Sequence, residues 1–248
     1  MTGTGFGQSG QARRGKLLYR EAFDKGPGHW KVGKDKEDGG WNRNVLGRKG
    51  HGVPLGWSPS GGLTGGLAFS ESPWYFDSNH GEFMWFYLLL VGPLGEEWKD
   101  YRHLDLRGAV VSITLRSREM QLKGTRMYLW IQGYRGPHPR VIYNPGDPLV
   151  SWALTSQPIG EELLDGEWHG RDLVLTNDEG CWSQMGLLNR GLPGRIIVEQ
   201  SLTFATGFLD HLLNGNHYNF GFILGGVDPN DPPSGRIEVD EISLWSRG

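Results

Sequence analysis

The closing stretch of the chain carries acidic residues of the kind that bind metals or perform acid–base chemistry. In the segment RIEVDEISLW, Ile237 and Val239 alternate with Glu238 and Asp240. This period of two is typical of a half-buried β-strand, because successive side chains point to opposite faces. Asp240 and Glu241 are adjacent within it. Three interpretations follow: a solvated sheet edge, a metal ligand, or part of a catalytic pair.

A second group of residues has the chemistry to bind sugars. The flat C–H faces of sugar rings dock on Trp or Tyr, while amides, acids and arginines bind the hydroxyls. The segment RMYLWIQGY, residues 126–134, alternates so that one face is both aromatic and polar. Any single tryptophan is better explained as core, but among eleven we expect at least one exposed platform. The predicted carbohydrate-binding residues are Trp74, Tyr128, Trp130, Gln132, Tyr134 and Trp152.

Catalytic candidates are scattered along the chain. Glycoside cleavage usually needs two carboxylates that flank one bond, and a polysaccharide lyase needs a base beside a group that neutralises charge. No pair of acids has a short diagnostic spacing, and the eight histidines follow no recognisable order. The candidates are Asp77, His80, Glu82, Arg116 and Tyr134. A glycan-processing enzyme, hydrolase or lyase, is therefore the alternative to a binding protein.

Composition argues against several other classes. The net charge is −3 and the basic residues are dispersed, so the sequence predicts no nucleic-acid partner. Cys181 is the single cysteine, which excludes an intramolecular disulfide and a cysteine-based zinc site. The most apolar run, FMWFYLLLVG, is about half the length needed to cross a bilayer, so no membrane partner is expected. The N-terminus does not read as a signal peptide, and we expect a soluble protein, cytoplasmic or secreted with its leader removed.

Turn residues divide the chain into short strands. The sequence contains 40 glycines and 14 prolines, and about ten strand-like runs lie between turn signals, which predicts an all-β antiparallel sandwich. One short helix is predicted at 206–215, TGFLDHLLNG. We expect a flexible arm at 1–15 and a single domain at 16–248, with long loops at about 31–62 and 135–195.

Three segments resemble galactose-binding-like jelly rolls, the fold of many carbohydrate-binding modules. EAFDKGPGHW (21–30) resembles their opening turn, DLRGAVVSITLRS (105–117) a central strand, and VDEISLW (239–245) the closing strand. The resemblance implies a jelly-roll β-sandwich that binds carbohydrate. A concanavalin-like sandwich has nearly the same strand pattern and remains an alternative, and a purely structural domain of a larger assembly is a third possibility.

The resemblance also implies a structural calcium ion. In such domains the first and last strands lie close together and a calcium often links them. Asp24 and Asp240 are the implied carboxylate ligands, and the 25–28 turn would offer backbone carbonyls. The alternative is a solvated acidic pair that protects a sheet edge.

Overall fold

The computed structural model describes residues 13–28, 30–32, 53–74, 76–77, 83–90, 104–134, 149–185, 208–214, 217–228 and 230–248. Within these ranges the strands pair in two antiparallel sheets, numbered here along the chain. The first sheet contains β1 (Arg14–Glu21), β4 (Gly56–Ser58), β5 (Leu67–Glu71), β8 (Val110–Gln121), β11 (His169–Val174) and β14 (Ser234–Arg247). The second contains β2 (Lys31–Val32), β3 (Val53–Pro54), β6 (Phe76–Asp77), β7 (Phe83–Leu90), β9 (Arg126–Tyr134), β10 (Leu149–Ala153), β12 (Ser183–Met185) and β13 (His217–Gly225).

Strand β14 is the centre of the first sheet. It pairs with β8 along one edge, while β5 and β1 share its other edge, so the order is β11-β8-β14-β5-β4 with β1 beside β14. The second sheet has the order β12-β10-β9-β13-β7-β2-β3, and β6 also pairs with β7. The first and last described strands are therefore neighbours.

The core lies between the two sheets and follows the predicted alternation. Val111, Ile113 and Leu115 of β8 are buried in one cluster with Leu129 and Ile131 of β9. Each fully buried aliphatic side chain contributes about 1.5–3 kcal/mol relative to exposure. One face of each strand therefore supplies the core, which confirms an antiparallel β-sandwich.

A β-bulge explains why two acids are adjacent in β14. The pairing with β8 shifts between Val239 and Glu241, so Asp240 is an extra residue in the ladder. Ile237 and Val239 face the core before the bulge, and Ile242 faces it afterwards. A bulge adds one residue and re-aims the side chains around it, so the alternation changes phase at the acidic pair.

The predicted helix is confirmed as α1 (Phe208–Leu213), whose Leu209, Leu212 and Leu213 are fully buried. Their spacing of three and four residues places them on one helical face. The predicted long loops at 31–62 and 135–195 lie partly outside the described residues, and their described parts contain β2, β3 and β4 in the first and β10, β11 and β12 in the second. Strand β1 also begins at Arg14, inside the predicted arm.

Among the helices of the described ranges, none is both long and apolar enough to span a bilayer.

Candidate functional site

A glycine-rich connection between β4 and β5, residues 59–66, encloses two acidic side chains. We refer to it as the glycine loop. A Cβ atom added at Gly62 would overlap Asp240 Oδ1, and one added at Gly65 would lie 2.6 Å from Asp24 Oδ1. The loop backbone therefore approaches both carboxylates more closely than any residue with a side chain allows.

Backbone N–H groups of the loop hold Asp240. Its Oδ1 accepts a hydrogen bond of 2.7 Å from the N–H of Leu63. Burial raises the pKa of Asp240, the N–H groups of Leu63 and Thr64 oppose this, and the charges of Glu241 and Asp24 raise it further. The net result is a raised pKa, as expected for a buried carboxylate with like-charged neighbours. Asp240 thus has like-charged neighbours, although Arg20 also interacts electrostatically with Asp24 and Asp240.

Glu241 is part of a different contact, although it is adjacent to Asp240. Arg20 of β1 donates two hydrogen bonds to Glu241 Oε2, at 2.9 and 2.7 Å, and the Ser243 hydroxyl donates to Oε1. Burial raises the pKa of Glu241, but these hydrogen bonds and the charge of Arg20 outweigh it and hold the pKa below its usual value. The negative charge of Glu241 is therefore balanced by Arg20.

The calcium ion predicted at Asp24 and Asp240 can be compared with these contacts. Calcium takes 6–8 oxygen ligands. The described residues contain no group of three or more His, Cys, Asp or Glu side chains that could hold a metal. The charge of Asp24 contributes to the raised pKa of Asp240, and backbone carbonyls or water would have to supply the other ligands of a cation there.

Trp57 is an exposed aromatic ring next to this site. The residue is 36% exposed on β4, at the end of the strand order of the first sheet. Its Nε1 donates a 2.6 Å hydrogen bond to the carbonyl of Phe23, the residue before Asp24. Phe23 has a φ of 55°, a conformation that non-glycine residues seldom adopt, and its own N–H donates to Glu21 Oε1. The indole is therefore held in one orientation with part of its surface in solvent.

Three of the predicted sugar-binding tryptophans are buried, so the prediction that they form exposed platforms is wrong. Trp74 and Trp152 belong to the core cluster, and Trp74 Nε1 donates to Ser70 Oγ at 2.6 Å. Trp130 is fully buried, although it is not part of that cluster. Alternation separates two faces of a strand, but it does not reveal what packs on each face.

Tyr128 is half-buried on β9, and burial raises the pKa of its phenol. Gln132 and Tyr134 belong to the same strand, but their side chains are outside the described residues. Tyr128 thus keeps some accessible surface on the predicted aromatic face.

Arg116 is the one predicted catalytic residue whose side chain the structure describes. Asp77 and Tyr134 lie in β6 and β9 without described side chains, and His80 and Glu82 lie outside the described residues. Arg116 Nε donates to Glu238 Oε2 at 2.6 Å. Arg116 therefore forms an ion pair with Glu238.

Glu238 is the centre of a cluster that sequence reasoning missed. This arginine cluster consists of Glu238 with Arg116, Arg118 and Arg236. The Glu238 side chain is fully buried, and each guanidinium reaches it through Nε, at 2.6, 3.0 and 2.8 Å respectively. The register places Glu238 opposite Arg116, and Arg236 opposite Arg118, on β14 and β8. Strand pairing brings these residues together, so the sequence alone did not reveal the cluster.

Two of these guanidiniums also stack on aromatic rings. Arg116 lies 4.4 Å from the centroid of Trp168, and Arg236 lies 3.6 Å from that of Phe69. Arg116 Nη2 donates to Gly61 O at 3.1 Å, which connects the arginine cluster to the glycine loop.

A separate polar cavity of about 720 Å³ lies near the chain end, lined in part by Arg13, Asp105, Arg107 and Arg247. Arg107 donates to both carboxylate oxygens of Asp105, and this holds the pKa of Asp105 below its usual value. The guanidinium and the carboxylate therefore satisfy each other.

Comparison with known proteins gives one structural similarity. No family model and no curated protein matches the chain. A solved structure of a carbohydrate-binding module, titled "Solution structure, dynamics and binding studies of CtCBM11", is similar at 14% sequence identity and a TM-score of 0.44. The similarity covers 96% of this chain and 98% of that chain. This degree of similarity does not establish a family or a function.

Proposed function

We propose that the protein binds carbohydrate on Trp57, with Asp24 and the glycine loop supplying polar contacts. The observation that carries this proposal is the combination of exposure and fixed orientation at Trp57, whose indole N–H is bonded to Phe23 O. Sugar rings dock on such a surface through their C–H faces. Because the ring is already oriented, binding costs little side-chain entropy.

The neighbouring polar groups fit this role. Asp24 is exposed and follows directly on the carbonyl that holds the indole. A carboxylate accepts hydrogen bonds from sugar hydroxyls, and an aromatic surface with a few placed polar groups is the usual composition of a small-molecule site. Tyr128 is on the other sheet and is not part of this surface.

The test is retention on a broad panel of immobilised glycans with three variants. We expect Trp57→Ala to weaken binding at least tenfold, because truncating a Trp anchor typically costs about 2 kcal/mol or more. Trp57→Phe keeps an aromatic ring and loses only the N–H, so it should retain an intermediate affinity. Leu164→Ala removes an exposed apolar side chain outside the glycine loop and should leave affinity unchanged.

Equal binding by wild type and Trp57→Ala would overturn the proposal for this surface. Failure of the wild type to bind any glycan would overturn carbohydrate binding altogether. Release of shortened glycan products in the same assay would identify the protein as the glycan-processing enzyme that is the alternative function.

We also propose a structural calcium ion between Asp24 and Asp240. The support is electrostatic, because the two carboxylates face one loop and the charge of Asp24 helps to raise the pKa of Asp240. Calcium should raise the thermal midpoint of the wild type, and chelation should reverse the increase. Asp24→Asn removes one charged ligand and should abolish the calcium response. An unchanged wild-type midpoint on adding calcium would contradict the proposal.

A further inference from the structure

The arginine cluster holds more positive charge than its buried acid requires. Three guanidiniums surround Glu238, and among the described residues the only other acid paired with them is Glu71, which binds Arg236 Nη1 at 2.9 Å. Three positive charges against two negative ones leave a net charge of +1 among these described residues. A buried carboxylate needs a counter-ion, but one or two guanidiniums would provide it.

Arg116 and Arg236 each make several contacts within the structure, although Arg236 Nε lies 2.8 Å from Glu238 Oε1 without hydrogen-bond geometry. Arg116 is 17% exposed and bonds both Glu238 and Gly61 while it stacks on Trp168. Arg236 is 28% exposed and contacts Glu238, Glu71 and the Phe69 ring. Their stacking and ion pairs hold these groups in place.

Arg118 is different, because its side chain is 60% exposed. It forms an ion pair with Glu238 Oε1 through Nε at 3.0 Å, without hydrogen-bond geometry, and its two terminal nitrogens form no hydrogen bond with another described residue. A guanidinium whose Nε faces a carboxylate presents its terminal N–H groups as a fork, which matches the two oxygens of an oxyanion.

We propose that Arg118 is the main contact residue of an anion-binding site on the first sheet. This site binds a carboxylate or sulfate group of an acidic polysaccharide. Arg116 and Arg236 supply the surrounding positive field, and Glu238 fixes the position of the fork. This site goes beyond the proposed function and does not depend on Trp57.

The experiment measures affinity for polygalacturonate, which carries carboxylates, and for dextran sulfate, which carries sulfates, with neutral dextran as the reference polymer. Arg118→Gln should weaken binding of at least one polyanion about tenfold, the loss expected for a charge-assisted bidentate contact. Arg118→Lys keeps the charge but loses the fork, so it should retain only part of the affinity. Binding should also weaken as salt increases.

The matched control is Arg126→Gln, which makes the same change of charge at an exposed arginine of the second sheet. It should change affinity by less than about twofold, because surface charges beyond a Debye length are screened. Circular dichroism of each variant checks the fold. The polyanion that responds to Arg118→Gln identifies the group that is bound.

Three results would overturn the inference. Wild-type affinity of Arg118→Gln for both polyanions would remove Arg118 as the contact. An equal loss in Arg126→Gln would show that net charge alone attracts the polymer. Loss of polyanion binding in Trp57→Ala would show that there is no separate anion site, whereas retained polyanion binding in that variant supports one even if carbohydrate docking on Trp57 fails.

Discussion

Glu238 and Asp240 are two positions apart on β14, yet the first sits among positive charges and the second among backbone dipoles and another acid. Three guanidiniums surround Glu238. Asp240 is held by the N–H of Leu63, and the charge of Asp24 opposes its ionisation. The difference arises because β8 places arginines beside Glu238, whereas the glycine loop covers Asp240. One strand can thus carry a structural ion pair at Glu238 and a candidate cation site at Asp240.

The largest effect is expected from removing the charge of Glu238. Glu238→Gln leaves three guanidiniums without their shared carboxylate, and breaking a buried ion pair from one side costs about 3–5 kcal/mol. Urea unfolding measures the free energy of unfolding. Glu161→Gln, at an exposed acid, is the control and should change it by no more than about 0.5 kcal/mol. A similarly small change for Glu238→Gln would mean that the cluster contributes little to stability.

The Asp240 region should respond next to a change of the loop backbone. In Gly62→Ala the new Cβ would overlap Asp240 Oδ1, so we expect a loss of about 1–3 kcal/mol, as for other overpacked sites. Gly170→Ala is the matched control, because nothing lies within 4 Å of its added Cβ. Equal unfolding free energies for the two variants would contradict close packing of the loop on Asp240.

A smaller effect is expected at the exposed pair of Arg20 and Glu241. Arg20→Gln should cost about 0.2–1 kcal/mol, since exposed ion pairs stabilise little. Because the pKa of folded Glu241 is lowered, its stabilising contribution is present above the unfolded pKa and is lost as the pH falls through the folded pKa. The variant should therefore lose less stability on acidification than the wild type does. An identical acid dependence would show that Arg20 does not set this pKa.

The smallest effect is expected for Asp240→Asn in the absence of calcium. The amide oxygen still accepts the N–H of Leu63, and the repulsion from Asp24 disappears, so stability at neutral pH should change by no more than about 0.5 kcal/mol. Because the pKa of folded Asp240 is raised, its contribution is present below the unfolded pKa and is lost as the pH rises through the folded pKa. Asp240→Asn should therefore not lose this stability as the pH rises. Urea unfolding at several pH values measures the difference from the wild type. A large destabilisation would show that the charge of Asp240 is itself required.

The strand pattern of the core was predictable, but the exposure of aromatic residues was not. Met127, Leu129 and Ile131 alternate along β9 and all lie in the core cluster. A Ser-Pro pair precedes Trp74 and another follows Trp57 in the sequence, yet Trp74 is buried and Trp57 is exposed. Their difference depends on packing partners from other strands, which local composition does not encode.

By itself the sequence determined the antiparallel sandwich and the short helix, because these depend on the period of neighbouring side chains. Only the tertiary structure decided which partner each acid has. Arg116 and Glu238 are separated by 122 positions, and Leu63 and Asp240 by 177. Pairing across the sheet joins them, and the free energy of a charged group depends on those distant neighbours and on its burial.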